Sequence, residues 1–195
     1  MDGLPKAPDE SASLDIVARI QDGDDEAWAE LYRRYHDQLL FTVRMRLGAG
    51  LRAVLQSEDV FQSVAVDAFE ALQRFEYRGP GSLERFLKQM VLNKIRDRAK
   101  YFGAEKRAGA QPLDEATAAS LGAEENAVGY HEAETYERLE RAIRALPEDM
   151  REVLLLRKIE GLSSLEVAEA VGKSDAAVRQ LASRAMAKVA AAMSA

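Results

Sequence analysis

The chain has 195 residues, 47% of them hydrophobic, enough for one or two packed cores. It has no cysteine and only two histidines, which excludes disulfides and thiolate metal sites and makes a histidine-built metal centre unexpected. The net charge of −6 is acidic for a nucleic-acid binder, yet it is laid out in blocks: −7 over residues 1–30, +4 over 31–56, −4 over 57–73, +6 over 74–107, −7 over 108–140 and +2 over 141–195. Such a chain should hold free DNA weakly and need a partner to keep it there.

Residues 1–12 are acidic and polar and read as a disordered tail, with no sign of a cleavable leader. No apolar run reaches the ~20 residues needed to cross a bilayer, so a cytoplasmic protein without membrane partners is expected. Residues 13–102 are dense in apolar residues at helical spacing and read as four helices. The first runs from about Ser13 to Gln21 and stops at Asp22-Gly23. The second starts near Asp24 and runs to Leu47, with Trp28, Leu31, Tyr32, Tyr35, Leu39 and Val43 as an apolar face that reads as core. His36 reads as a rim residue beside that face.

The third helix starts at Ser57 and continues towards Phe75. Val60, Phe61, Val64, Ala68, Ala71, Leu72 and Phe75 fall on one side; Asp59, Gln62, Ser63, Val66, Glu70 and Gln73 fall on the other. The second face is either simply solvated or a docking face for a partner's helix. A loop, Glu76-Tyr77-Arg78-Gly79-Pro80-Gly81-Ser82, leads to the fourth helix, with Ser82 as the expected N-cap. Leu83, Phe86, Leu87, Met90, Val91 and Ile95 form its core stripe. Arg85, Lys88, Gln89, Leu92, Arg96 and Lys100, with Asn93 beside them, form the opposite arc. A basic strip next to an aromatic, glycine-rich loop suits phosphates and unstacked bases, although a solvated face has the same composition.

Residues 103–135 are rich in Ala, Gly and Glu and read as a flexible acidic linker. Residues 136–195 resume helical periodicity and end in a helix-turn-helix. Its first helix starts at Ser163 or Ser164, with Leu165, Val167, Ala168 and Val171 as the apolar stripe; Gly172 makes the turn and Ser174 caps the second helix. There Val178, Leu181, Ala182, Ala185 and Val189 face inward. Ala176, Arg179, Gln180, Ser183 and Ala187, flanked by Ala177 and Arg184, face outward. An outward face that is small, polar and basic fits a major groove, where Arg pairs with guanine and Gln with adenine. No strand alternation and no internal repeat is found. The expected fold is therefore all-α: two small helical domains joined by the linker, the second a helix-turn-helix.

The order of these features resembles a bacterial RNA polymerase sigma factor of the extracytoplasmic-function type. The resemblance rests on Asp59-Val60-Phe61-Gln62, the loop from Phe75 to Ser82, Phe86-Leu87, Asn93-Lys94-Ile95-Arg96-Asp97, Leu146-Pro147-Glu148-Asp149-Met150-Arg151-Glu152-Val153-Leu154, and the helix-turn-helix. It implies a dissociable subunit that binds core polymerase, recognises −10 and −35 promoter elements and starts transcription of a specific gene set. Residues 13–102 would be region 2 and 136–195 region 4. The third helix would dock the β′ coiled coil through Asp59, Gln62, Ser63, Val66 and Glu70; where the family often has an acid after the glutamine, this chain has Ser63. The −10 element would meet Phe75, Tyr77, Arg78, Arg85, Lys88, Asn93, Arg96 and Lys100. The −35 element would meet Lys173, Ser174, Ala176, Ala177, Arg179, Gln180, Ser183, Arg184 and Lys188, whose alanines depart from a more polar recognition helix. The β flap and an anti-sigma factor are the other partners implied. No cofactor, metal or catalytic residue is implied. Without the resemblance, two further readings fit: a self-sufficient regulator, or a helical adaptor with no role on DNA. The basic fourth helix and the acidic balance argue against the first; the second leaves the Arg179/Gln180/Ser183 face unexplained.

Overall fold

The computed structural model describes residues 8–52, 55–108 and 133–194, and every described element is helical. The chain divides into two compact units, one carrying the helices between residues 10 and 108 and the other those between 133 and 194. The first unit contains α1 (Glu10–Gln21), α2 (Asp25–Arg46), the short α3 (Ala49–Arg52), α4 (Ser57–Leu72) and α5 (Ser82–Ala108). α2 is the hub, packing on α1, α4 and α5, while α4 and α5 also pack on each other. The apolar stripes meet in one core that includes Ile16, Val17, Leu31, Tyr35, Val60, Val64, Leu72, Leu87 and Val91. Trp28, Tyr32, His36, Phe61 and Phe69 form a chain of ring contacts along the α2–α4 seam.

Several boundaries differ from those expected. α1 begins at Glu10 rather than Ser13, so the last three residues of the expected tail are helical; residues 1–7 lie outside the described set. The cause is tertiary: Ser13 is fully buried, and Glu10 accepts backbone hydrogen bonds at the start of α5. α3 was not anticipated. α4 ends at Leu72, and α5 continues to Ala108, into the expected linker. On the other side of that linker α6 begins at Ala133, leaving residues 109–132 outside the described set. Ser82 is the first helical residue of α5 and not its N-cap, because its hydroxyl accepts from the Arg78 N–H at 3.3 Å.

The α1–α2 corner shows how local chemistry sets the fold. Gly23 takes φ +89°, where an L side chain is strained, and the chain reverses there. Asp24 then caps α2, accepting from the N–H groups of Glu26 at 2.9 Å and Ala27 at 3.2 Å. Arg19 bridges the corner to Asp24 at 2.7 Å and Glu30 at 3.0 Å. Hydrogen bonds from Arg19 hold the Asp24 carboxyl below the usual carboxylate range, and those from Arg44 do the same for Glu58 across the α2–α4 junction. A depressed folded-state pKa contributes stability above the unfolded value and loses it as pH falls through the folded value. The thermal midpoint of the first unit should therefore drop once pH falls below about 4, the unperturbed carboxyl range. The drop should be smaller in Arg19→Ala and Arg44→Ala, where those shares are already lost. Because both pairs are largely exposed and screened by water, the contribution of each should be small. A pH profile that both substitutions leave unchanged would show that the two pairs do not contribute.

The second unit contains α6 (Ala133–Arg144), α7 (Glu148–Lys158), α8 (Ser164–Val171) and α9 (Asp175–Ser194). α9 is its axis, with α6, α7 and α8 packed on it. Arg138 on α6 donates to the Met193 carbonyl at 2.7 Å, satisfying one open acceptor at the end of α9.

Candidate promoter and polymerase interfaces

The turn joining α8 to α9 is fixed by three local devices. Ser163 and Glu166 form a reciprocal capping box at the start of α8, at 3.2 and 2.7 Å. Hydrogen bonding from the Ser163 hydroxyl and backbone N–H holds the Glu166 carboxyl below its usual range. Gly172 ends α8 at φ +65°, the left-handed geometry that glycine adopts without strain. Ser174 caps α9, its hydroxyl accepting from the Ala177 N–H at 3.2 Å. Val178 is fully buried and packs with Val153, Leu156, Val167 and Ala168, while Leu162, Val171, Leu181 and Ala182 close the cluster.

With Val178, Ala185 and Val189 turned inward, the other side of α9 is open. Ala176, Arg179, Gln180, Ser183, Arg184, Ala187 and Lys188 are exposed, and Ala177 is half-buried at its edge. Arg179 pairs with Asp175 one turn earlier at 3.0 Å, its guanidinium exposed and the carboxylate part-buried. Lys173 lies 4.0 Å from Asp149 at the start of α7. Leu165 departs from the expected stripe: it is 64% exposed, because Val167 and Ala168 set the inward side of α8.

On α4, Asp59, Gln62, Val66 and Glu70 are exposed along one side, with Val66 63% exposed in the middle. Ser63 is half-buried, and its hydroxyl donates to the Val60 carbonyl at 2.8 Å, so its own backbone already holds that group. Lys94 of α5 reaches Asp67 at 2.6 Å, which ties α5 to the edge of this side.

The loop from Phe75 to Ser82 leaves α4 and enters α5. Phe75 is half-buried against Phe86, with ring centroids 5.1 Å apart, so it anchors the loop. Tyr77 and Arg78 project outward, Tyr77 being 52% exposed. Gly79 and Gly81 take φ +102° and +75°, and a Cβ on Gly81 would stand 2.8 Å from the Arg85 guanidinium. Arg85 folds back to donate to the Pro80 carbonyl at 3.1 Å.

The strip on α5 is rotated from the expected arc. Leu92 is buried and belongs to the inner side. Lys88 is mostly covered and pairs at 2.5 Å with Glu84, which also accepts from Gln38 at 2.8 Å. α2 packs on α5, and its Gln38 reaches Glu84 on that flank, which turns the open side towards Gln89 and Asn93. The exposed line therefore runs Arg85, Gln89, Asn93, Arg96 and Lys100. Gln89 and Arg96 both donate to the Asn93 side-chain oxygen, at 2.8 and 3.1 Å, which aligns three polar groups along the helix. Sequence reasoning passed over Glu10 and Gln21 of α1, because local spacing gives no sign that a distant helix reaches this loop.

Among the described residues no cluster of His, Cys, Asp or Glu could hold a metal ion, and no helix is long and apolar enough to cross a membrane. The sequence pattern described as sigma-70, region 4, matches residues 136–189, from within α6 to within α9. The ECF RNA polymerase sigma factor SigD of Mycobacterium tuberculosis is 33% identical over 171 residues, covering 88% of this chain and 79% of that protein. ShbA, an ECF RNA polymerase sigma factor of Streptomyces griseus, is 31% identical over 181 residues, covering 89% of this chain and 91% of its own. A solved structure of CnrH in complex with the cytosolic domain of CnrY aligns over 92% of this chain and 96% of that chain, with 24% identity and a TM-score of 0.45. Two relatives above 30% identity, each spanning almost nine tenths of the chain, establish that it belongs to the ECF sigma factors, the subunits that bind core RNA polymerase and direct it to start transcription at chosen promoters.

Proposed function

We propose that three exposed surfaces divide the promoter-recognition work of this sigma factor. The polar side of α4, with Asp59, Gln62, Val66 and Glu70, docks the β′ coiled coil. The loop at Tyr77 and Arg78, with the line Arg85, Asn93, Arg96 and Lys100, receives the melted −10 strand. The open side of α9 enters the major groove of the −35 element, and the unit that carries it meets the β flap. The protein acts in the cytoplasm as a regulatory subunit, bond formation being the polymerase's chemistry, and an anti-sigma factor is its expected controller.

The observation that carries this reading is α9. A fully buried stripe at Val178, Ala185 and Val189 stands opposite an open arc holding Arg179, Gln180 and Ser183, with Arg179 steadied by the part-buried Asp175 one turn earlier. If Arg179 and Gln180 read base edges, Arg179→Ala should cost about 1–3 kcal/mol at the preferred −35 sequence and flatten preference there. Lys188→Ala should instead weaken binding evenly across sequences and reduce its salt dependence, as a phosphate contact does. Run-off transcription on a promoter library with core polymerase measures both. A −35 selection profile unaltered in Arg179→Ala and Gln180→Ala would remove base reading from these positions. The net charge of −6 adds a second expectation. The isolated chain should bind duplex promoter weakly at physiological salt, and adding core polymerase should restore specificity. Tight specific binding by the chain alone would favour a self-sufficient regulator.

A further inference from the structure

α1 lies beside the −10 loop and is bonded to both of its ends. At the C-terminal end of α1, the Gln21 amide donates to the carbonyls of Leu72 at 3.0 Å and Phe75 at 2.9 Å, where α4 stops and the loop begins. Gln73 returns the contact, donating to the Ile20 carbonyl at 3.2 Å. At the N-terminal end of α1, the Glu10 carboxylate accepts from the Gly81 N–H at 2.5 Å and the Leu83 N–H at 3.4 Å, where the loop enters α5. These are open donors of the first turn of α5, and a carboxylate there also complements the helix dipole. With Ser82 engaged by Arg78, no side chain of the loop itself is seen to do this. A helix of this length separates residues 10 and 21 by roughly 16 Å, so one rigid element sets the distance between the two ends of the loop.

We propose that α1 is a two-point clamp on the −10 loop, and that Glu10 and Gln21 are positioning residues for capture of the melted base. This rests on the reading of the loop as the −10 element's receiver. The loop contains two glycines in left-handed geometry, a backbone with much freedom to lose. Ordering it only when DNA arrives would subtract from binding and blur the difference between one captured base and another. With both ends held from α1 and Phe75 seated on Phe86, Tyr77 and Arg78 are presented in one arrangement before promoter contact. Core polymerase would meet α4, which the clamp leaves exposed along Asp59, Gln62 and Val66.

The test uses the full-length chain reconstituted with core polymerase. Glu10→Ala removes the acceptor at the end of the loop. Gln21→Glu keeps the size of the side chain but faces two carbonyls with a carboxylate. Tyr77→Ala reports on the loop itself. Core affinity, thermal midpoint and permanganate-detected opening are measured on duplex promoters that differ by single −10 bases. Glu10→Ala and Gln21→Glu are expected to keep the parent's core affinity and to lower the thermal midpoint only by the few degrees that a lost hydrogen bond costs. Their discrimination among −10 bases should fall about fivefold, the factor that one hydrogen bond of ordinary net strength supplies. Parental discrimination in both variants, with Tyr77→Ala flattening it, would overturn the clamp while leaving the loop's role intact. Parental discrimination in Tyr77→Ala would withdraw the −10 assignment of the loop, and the clamp's purpose with it. Loss of core affinity, or of thermal stability beyond those few degrees, with opening reduced equally on every −10 sequence, would show the contacts to be structural only and would also overturn the proposal.

Discussion

Val178→Asp should unfold the helices between residues 133 and 194 and abolish −35-dependent transcription. Val178 is fully buried at the seam of α7, α8 and α9, against Val153, Leu156, Val167 and Ala168. A carboxylate there loses its water and gains no cation, since every member of that cluster is apolar. The cost should exceed about 4 kcal/mol. A unit of about 60 residues is stable by only roughly 3–9 kcal/mol, so the substitution consumes most or all of it. Val178→Ala is the control: it removes two methyl groups without adding charge and should cost about 1–3 kcal/mol. Circular dichroism of the full chain should show the helical signal of the second unit lost in Val178→Asp and retained in Val178→Ala. The transition of the first unit, whose described core residues lie between positions 16 and 95, should persist in both. A melting profile of Val178→Asp that matches the parent's would mean that position 178 is not at the seam.

The second large effect is expected at the side of α4 proposed to dock polymerase. Asp59→Arg combined with Gln62→Ala should lower affinity for core polymerase by about 10- to 100-fold, the usual range for losing one or two anchoring interface residues. Both side chains are exposed, and the buried neighbours Val60, Phe61 and Val64 are left in place, so helicity and thermal midpoint should not change. Ser63→Ala should differ from this pair. Its hydroxyl is bonded to the Val60 carbonyl within α4, so its removal should change core binding little. Competition against labelled parent for core polymerase separates the cases. Unchanged core binding by the double variant would remove the docking assignment from this side of α4.

What was legible in the sequence was whatever one helix decides by itself. Periodicity in α2, α4 and α9 identified the buried stripes, because a residue's place on a helix depends only on its position in the chain. The corner at Gly23-Asp24 and the turn at Gly172 to Ser174 were legible for a related reason. A glycine with positive φ and a capping side chain act within a few residues of where they stand. The open face of α9 followed from its stripe without further information.

The rest depended on which neighbour covers a surface, and spacing along one helix does not carry that. Leu92 and Lys88 lay on the arc expected to be open. α2 reaches that flank of α5 through Gln38, and Glu84 pairs with Lys88, so the exposed line moved to Gln89 and Asn93. Phe75, expected at the −10 strand, became an anchor because Phe86 stands one turn into α5. Glu10 and Gln21 gained their roles from contacts with residues more than fifty positions away, at the two ends of one loop. The sequence by itself determined most of the helices, most of their inward faces and the family. Tertiary structure decided which polar side chains are spent inside a unit and which remain for DNA and polymerase, because a hydrogen bond or ion pair forms with whatever packing brings within reach.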